Sequence, residues 1–241
     1  MEKTNLFFLP FAGGSKYSYR KYEANQPPFF NFIPLEYPGR GSRVTEPFAA
    51  DVHVLVDDLY HRICHFLDKE RYGIYGHSMG GVVAYLLTRV ILANGHRPPE
   101  HVFITGTAGP SVASRKERNY HLLDKAEFLE KVRDLDGLPE EIFQDSELLD
   151  FIEPILRADF RISETYVHEE EAPMEIPFTV ITGMDEDIAP EDIQLWQNCS
   201  RHKVDFRRMK GGHFFIFQYI DTIINILSMK MLAPKKNINY E

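Results

Sequence analysis

Hydrophobic and polar positions follow two alternating patterns along this chain. Short apolar runs rich in β-branched and aromatic residues are separated by longer stretches in which apolar residues recur every three or four positions. This alternation is typical of a mostly parallel sheet with helices on both faces, so the sequence predicts an α/β fold. The predicted strands are Leu6–Leu9, Phe30–Glu36, Tyr72–Tyr75, His101–Thr105, Phe178–Thr182 and Val204–Met209.

Three helices are predicted from apolar residues that share one face. The first spans Val52–Leu67, and the second follows Ser78 with an apolar face from Val82 to Ile91. The third lies near the end of the chain, where Ile220, Ile223, Ile224 and Leu227 fall on one side. Each apolar face is expected to pack against the sheet.

The alternation stops between about residues 111 and 172, where the sequence is charged and helical throughout. We expect a helical insertion within one domain that spans residues 1–241, because no repeat or linker interrupts the chain. Pro154 should kink or end a helix, since proline lacks the backbone N–H and clashes with the preceding turn. The insertion is either a mobile lid over a site or a cap that only packs, and periodicity does not separate the two.

Composition and charge exclude several classes of function. The chain has 241 residues, 44% of them hydrophobic, and a formal net charge of −9, which repels nucleic acid and anionic lipid. Its two cysteines, Cys64 and Cys199, are too few for a disulfide framework or a cysteine-based zinc site. No apolar run reaches the roughly 20 residues of a membrane span, and no signal peptide is evident. We expect a cytoplasmic monomer that needs no cofactor or metal.

The segment Gly76-His77-Ser78-Met79-Gly80 carries the strongest chemical signal. It follows a predicted strand and opens a predicted helix, which is the context of the G-x-S-x-G nucleophile elbow. Glycines two residues before and after the serine allow a sharp turn that presents its hydroxyl at the sheet edge. We therefore predict Ser78 as a nucleophile and the N–H of Met79, at the helix N-terminus, as an oxyanion donor.

A second oxyanion donor and a base are expected from loops after other strands. The glycine-rich loop Pro10–Ser15 follows the first strand, and Ala12 N–H is its candidate donor. Because the triad of this fold runs serine, acid, histidine along the chain, the base should lie late in the sequence. His213, in Gly211-Gly212-His213-Phe214-Phe215, fits best. His202 is the rival, but we expect it at the start of the last strand, where a histidine is usually only a surface residue.

The acid that orients the histidine is harder to choose. No carboxylate follows the strand that ends at Thr105, so the acid should come from the turn Gly183-Met184-Asp185-Glu186-Asp187. We predict Asp187, hold Asp185 as the alternative and rank Glu186 third. The remaining two carboxylates should lie in solvent.

Five basic residues cluster around the predicted last strand despite the negative net charge: Arg201, Lys203, Arg207, Arg208 and Lys210. Such a cluster can attract an acidic protein partner. More often it protects an exposed sheet edge from pairing with another strand, which is the interpretation we favour.

With these motifs placed, the chain resembles the type II thioesterases that accompany nonribosomal peptide and polyketide synthases. The likeness covers nearly the whole chain and rests on the following stretches: Leu9–Gly14, Tyr37-Pro38-Gly39-Arg40-Gly41, Gly76–Gly81, Phe128–Arg133, Gly137-Leu138-Pro139, Leu156–Arg161 and Gly211–Phe214. One departure is Gly183-Met184, where the family usually has two glycines.

The resemblance implies an α/β-hydrolase fold with a helical lid. It further implies an editing enzyme that hydrolyses stalled or aberrant acyl groups from the phosphopantetheine arm of acyl or peptidyl carrier proteins. Ser78, His213 and an aspartate would form its triad, with Met79 and Ala12 as backbone donors. A carboxylesterase or lipase that acts on oxygen esters, and a carrier-binding protein without activity, are the alternatives.

Overall fold

Six parallel strands form a single sheet. The computed structural model describes residues 3–113, 118–135, 138 and 140–232. The strands are β1 (Thr4–Leu9), β2 (Phe30–Pro34), β3 (Tyr72–His77), β4 (Val102–Thr105), β5 (Phe178–Gly183) and β6 (Asp205–Met209), in the order β2-β1-β3-β4-β5-β6. All six predicted strands are present, and their ends differ from the prediction by at most two residues. The predicted α/β class is confirmed.

Helices cover both faces of the sheet. They are α1 (Arg20–Ala24), α2 (Val52–Leu67), α3 (Met79–Ala93), α4 (Lys125–Asp134), α5 (Glu140–Phe143), α6 (Ser146–Thr165), α7 (Pro190–Gln194) and α8 (Ile220–Leu232). Helices α2 and α3 pack with Phe7 and Ile74 on one face, and α1 and α8 pack with Phe8 and Tyr75 on the other. None of the helices in the described ranges is long and apolar enough to cross a membrane.

The strand order brings several loops to one edge of the sheet. Strand β1 lies between β2 and β3, so the chain leaves β1 towards one side and returns on the other. Leu9, at the end of β1, pairs with Gly76 of β3. Ligands of open α/β sheets bind at such a switch point, beyond the carboxyl ends of the strands. The loops after β1, β3, β5 and β6 all emerge there, because every strand is parallel.

The segment between β4 and β5 carries helices α4, α5 and α6. Its buried residues Phe128, Val132 and Leu156 form a small apolar cluster of their own. We expected Pro154 to kink or end a helix; helix α6 continues through it to Thr165, so the proline does not end the helix, and a kink stays a prediction. Residues on its C-terminal side, including Ile155 and Ile162, are buried, and this packing outweighs one missing hydrogen bond. Gly137 and Pro139, which contribute to the family resemblance, lie outside the described residues.

The basic cluster lies around an edge strand. Strand β6 has a neighbour on one side only, as the edge-protection interpretation requires. Arg207 pairs with Asp205 at 2.9 Å and Arg201 with Glu175 at 3.2 Å, so part of the positive charge is neutralised locally.

Candidate active site

Ser78 lies in the sharp turn between β3 and α3. Its φ of 54° and ψ of −121° make it the one non-glycine residue with positive φ in the described part of the chain. An added Cβ at Gly76 would lie 2.0 Å from the Gly80 carbonyl oxygen, so only glycine permits this close crossing. A strained serine between a strand and a helix is the geometry of a nucleophile elbow.

The two backbone N–H groups predicted as oxyanion donors belong to Met79 and Ala12. Met79 is the first residue of α3, so its N–H has no partner within the helix and lies at the positive end of the helix dipole. Ala12 lies in a tight turn closed by the 2.9 Å hydrogen bond from Gly14 N–H to the Phe11 carbonyl. Within the described residues neither Met79 N–H nor Ala12 N–H donates a hydrogen bond. Both stay the predicted oxyanion donors.

A carboxylate and an imidazole form a close pair beside the elbow. His213 Nδ1 lies 2.6 Å from Glu186 Oε1. The other oxygen, Oε2, accepts the N–H of Gly183 at 2.6 Å. The Glu186 side chain is 3% exposed and that of His213 is 29% exposed. With Nδ1 engaged by the carboxylate, Nε2 is the ring nitrogen left to exchange a proton with a nucleophile.

The structure places Glu186 against His213 where we expected Asp187, with Asp185 as the alternative. Both aspartates are exposed, and neither contacts His213. The turn after β5 is held by hydrogen bonds from Asp185 N–H to the Gly211 carbonyl and from Ile188 N–H to the Glu186 carbonyl. Glu186 is thereby directed inwards. The sequence contained one signal for this choice. Glu186 is the middle of three carboxylates in a turn, and because neighbouring residues of a turn point to different sides, the middle one can point inwards while the other two point to solvent.

The acid turn and the histidine loop are hydrogen bonded to each other. Met184 N–H donates to the Met209 carbonyl at 2.7 Å, and Asp185 N–H to the Gly211 carbonyl at 3.1 Å. Arg208 of the basic cluster donates to the Met184 carbonyl at 3.2 Å. These contacts fix the distance between the carboxylate and the imidazole.

His77 packs beneath the base, a role that the sequence did not reveal. Its ring centroid lies 4.8 Å from that of His213, and its Nδ1 lies 3.0 Å from Thr105 Oγ1. Burial, and secondly the neighbouring His213, hold the pKa of His77 well below its usual value. His77 is therefore neutral at physiological pH, so it adds no positive charge next to the base.

The serine and histidine lie at the same place in the fold. Ser78 directly follows His77 in the chain, and the His77 ring packs against that of His213 at an interplanar angle of 37°. The Ser78 hydroxyl makes no hydrogen bond within the described ranges. The hydrogen bond between a nucleophilic serine and its histidine often tightens only when substrate binds. Phe11 and Phe214, with ring centroids 5.0 Å apart, pack beside the two histidines.

A parallel sheet, a strained serine elbow and a carboxylate–histidine pair at the carboxyl edge define the α/β-hydrolase class. The chain belongs to the Thioesterase domain family, whose model matches residues 4–231. It is therefore a hydrolase of thioesters, and the resemblance noted from the sequence is confirmed. Among the described residues no group of three or more histidine, cysteine or acidic side chains is arranged to hold a metal.

Individual relatives agree with this family. The chain is 32% identical to linear gramicidin dehydrogenase LgrE of Brevibacillus parabrevis, covering 92% of this chain and 85% of that protein. It is 30% identical to thioesterase PikA5 of Streptomyces venezuelae, covering 95% and 82%. Among solved structures it is similar to ClbQ from the colibactin NRPS/PKS pathway, with a TM-score of 0.90, 28% identity and coverage of 95% and 97%.

Proposed function

We propose that this protein removes stalled or aberrant acyl groups from the phosphopantetheine arm of carrier proteins in nonribosomal peptide or polyketide synthesis. Two similar proteins support this assignment. ClbQ is described as a protein of an NRPS/PKS pathway, and PikA5 is named a thioesterase. The observation that carries it is the Glu186–His213 pair, 2.6 Å apart, beside the Ser78 elbow. The carrier would be a protein partner in the cytoplasm. It would approach this protein on the side of helices α4–α6, which we propose as a lid.

The proposed reaction has two steps. Ser78 Oγ attacks the thioester carbonyl while His213 Nε2 takes its proton, and Glu186 stabilises the resulting imidazolium. The oxyanion accepts hydrogen bonds from the N–H groups of Met79 and Ala12. Collapse of this intermediate breaks the C–S bond and expels a thiolate, which takes the proton from His213 and leaves as the free thiol, so that the imidazole is neutral again. Because a thiol has a pKa of about 8.5, its departure needs little help from an acid.

Water completes the cycle by attacking the acyl–serine ester. His213 accepts a proton from the water, the second oxyanion forms at the same donors, and Ser78 leaves with the proton returned by His213. The products are a free acid and a carrier with a free thiol. The LgrE name describes a dehydrogenase, but the loop after β1 here, Pro10–Ser15, lacks the G-x-G-x-x-G spacing of a dinucleotide site.

The proposal is tested by ranking substrates. Carrier proteins loaded with acetyl, aminoacyl and longer acyl groups, and matched oxygen esters, are compared by kcat/KM, with Ser78→Ala as the inactive control. We expect carrier thioesters to exceed the oxygen esters, and aberrant groups such as acetyl to exceed the aminoacyl group. A preference for simple esters would instead indicate a carboxylesterase. Failure of Ser78 to react with a fluorophosphonate would indicate a carrier-binding protein without activity.

A further inference from the structure

A buried ion pair joins helix α6 to the loop after β2. Arg40 donates to both carboxylate oxygens of Asp159, with Nη1–Oδ2 at 2.5 Å and Nη2–Oδ1 at 2.6 Å. Asp159 is 0% exposed and Arg40 is 4% exposed. Neither residue contacts Ser78, His213 or Glu186. A buried pair loses hydration on both partners, so its presence is weak evidence for a purely stabilising role.

The same two side chains hold the turn that carries Ala12. Asp159 Oδ2 accepts the N–H of Gly13 at 2.7 Å, and Arg40 Nη1 donates to the Gly14 carbonyl at 3.2 Å. Gly13 has a φ of +77°, and an added Cβ would lie 2.5 Å from Leu156 Cδ2, one helical turn before Asp159. Helix α6 therefore contacts this turn both through a carboxylate and through an apolar side chain.

The core contacts the same loop from the other side, through hydrogen bonds to its first part and through apolar packing of Phe11 and Ala12. Tyr19 donates to the Leu9 carbonyl at 3.0 Å, and Tyr37 donates to the Pro10 carbonyl at 2.9 Å. Beyond Pro10, the hydrogen bonds of this turn are its own bond from Gly14 N–H to the Phe11 carbonyl and the contacts with Asp159 and Arg40. Loss of Asp159 therefore removes the hydrogen bond to the peptide that directly follows Ala12.

We infer that Asp159, held by Arg40, is a positioning residue that orients the turn Phe11–Gly14 so that Ala12 N–H faces the oxyanion. This inference rests on the proposed serine-hydrolase function. Under this inference, the orientation of Ala12 N–H depends on the position of helix α6, because the Asp159 carboxylate moves with that helix. A loss of Asp159 then weakens binding of the tetrahedral oxyanion and leaves binding of the uncharged ground state nearly unchanged.

The test uses a double variant that removes the ion pair but keeps apolar bulk, Asp159→Leu with Arg40→Met. Replacing both partners of a buried pair by apolar residues is often tolerated, so the fold is expected to persist, as checked by thermal unfolding. Hydrolysis of p-nitrophenyl acetate and affinity for an alkyl boronic acid, which forms a tetrahedral anion with an active serine, are measured. We expect kcat and boronic acid affinity to fall at least about tenfold, since one oxyanion donor is worth about 10²–10³ in kcat. KM should change by less than about twofold.

A matched control separates the orienting of the turn by Asp159 from the general attachment of helix α6 to the core. Arg161, also on α6, donates to the Ala49 carbonyl of the core at 3.1 Å and does not contact the turn. Arg161→Gln should therefore keep kcat and boronic acid affinity within about twofold. Asp159→Asn should fall between the double variant and the parent protein, because its amide oxygen still accepts from Gly13 N–H.

Two results would overturn the inference: a folded double variant that retains the parent kcat and boronic acid affinity, or an Arg161→Gln loss as large as that of the double variant. Both readouts are independent of any carrier. Parent protein that binds the boronic acid but ignores acyl carriers would contradict only the proposed substrate. Parent protein that does not bind the boronic acid would contradict the serine-hydrolase chemistry, and this inference with it.

Discussion

The nucleophile elbow and the acid turn occupy the same edge of the sheet, but they are specified in different ways. In the elbow, residues close in sequence decide the geometry. The backbone at Gly76 passes so close to that at Gly80 that an added Cβ at Gly76 would lie 2.0 Å from the Gly80 carbonyl oxygen. In the acid turn, Asp185, Glu186 and Asp187 offer the same chemistry. Contacts with Gly183, Gly211 and His213 decide which one is used.

This difference shows where a motif is informative. A steric constraint between residues four positions apart can be read from the spacing of glycines. A choice among three adjacent carboxylates depends on a loop more than twenty residues away, so no local pattern encodes it. The following experiments test this contrast.

The largest effect should come from the elbow. Ser78→Ala removes the group that forms the acyl-enzyme, so kcat on an acyl carrier should fall by about 10⁴-fold or more. The fold should be intact, because alanine loses only a partly exposed hydroxyl. Steady-state hydrolysis and a thermal melt measure the two effects. Hydrolysis at near the parental rate would show that another residue is the nucleophile.

In the acid turn, Glu186→Gln should have the next largest effect. The amide cannot stabilise the imidazolium, so kcat should fall by about 10³–10⁴-fold. The matched controls are Asp187→Asn and Asp185→Asn, whose side chains are exposed and should change kcat by less than about threefold. A loss at Asp187 that exceeds the loss at Glu186 would reverse the assignment and restore the aspartate expected from the family.

The steric account of the elbow is tested by two alanine substitutions in the same strand. Gly76→Ala would force Cβ against backbone atoms and should lower the free energy of unfolding by about 3 kcal/mol or more. Gly73→Ala meets the ends of side chains, Leu6 Cδ1 at 2.9 Å and Met231 Sδ at 3.0 Å, and should cost about 1 kcal/mol. Urea unfolding measures both values. Equal losses would show that the crossing is not sterically special.

The smallest expected effect is a change in the pH dependence of stability on replacing His77, which precedes Ser78 and packs against the His213 ring. The pKa of His77 in the folded protein is lowered by burial, so below about pH 6.5 the unfolded chain binds a proton that the folded protein does not. Stability contributed by the neutral ring is therefore present above that pH and lost as the pH falls. His77→Gln should reduce the slope of unfolding free energy against pH by up to about 1.4 kcal/mol per unit between pH 6 and 4.

His101 provides an independent comparison for this pH effect. Burial lowers its pKa to about 3, so it should contribute a similar slope over the same range, away from the active site. An unaltered slope in His77→Gln would mean that this ring takes up a proton in the folded protein as well.

The sequence by itself determined the fold class and the position of the serine elbow. Six apolar runs of strand length became six parallel strands, and the glycine spacing around Ser78 became the strained elbow, because both depend on sterics and periodicity within a few residues. Helix α6 continues through Pro154, although proline has a local preference to end or kink a helix. There the packing of residues distant in sequence outweighed a local preference.

Only the tertiary structure decided how the site is assembled. It placed Glu186 on His213, packed His77 against that ring, and joined Asp159 of α6 to Gly13 of a turn 146 positions earlier. Each of these contacts joins parts of the chain that are distant in sequence. A hydrogen bond between such residues depends on distances of a fraction of an ångström, which only the folded chain fixes.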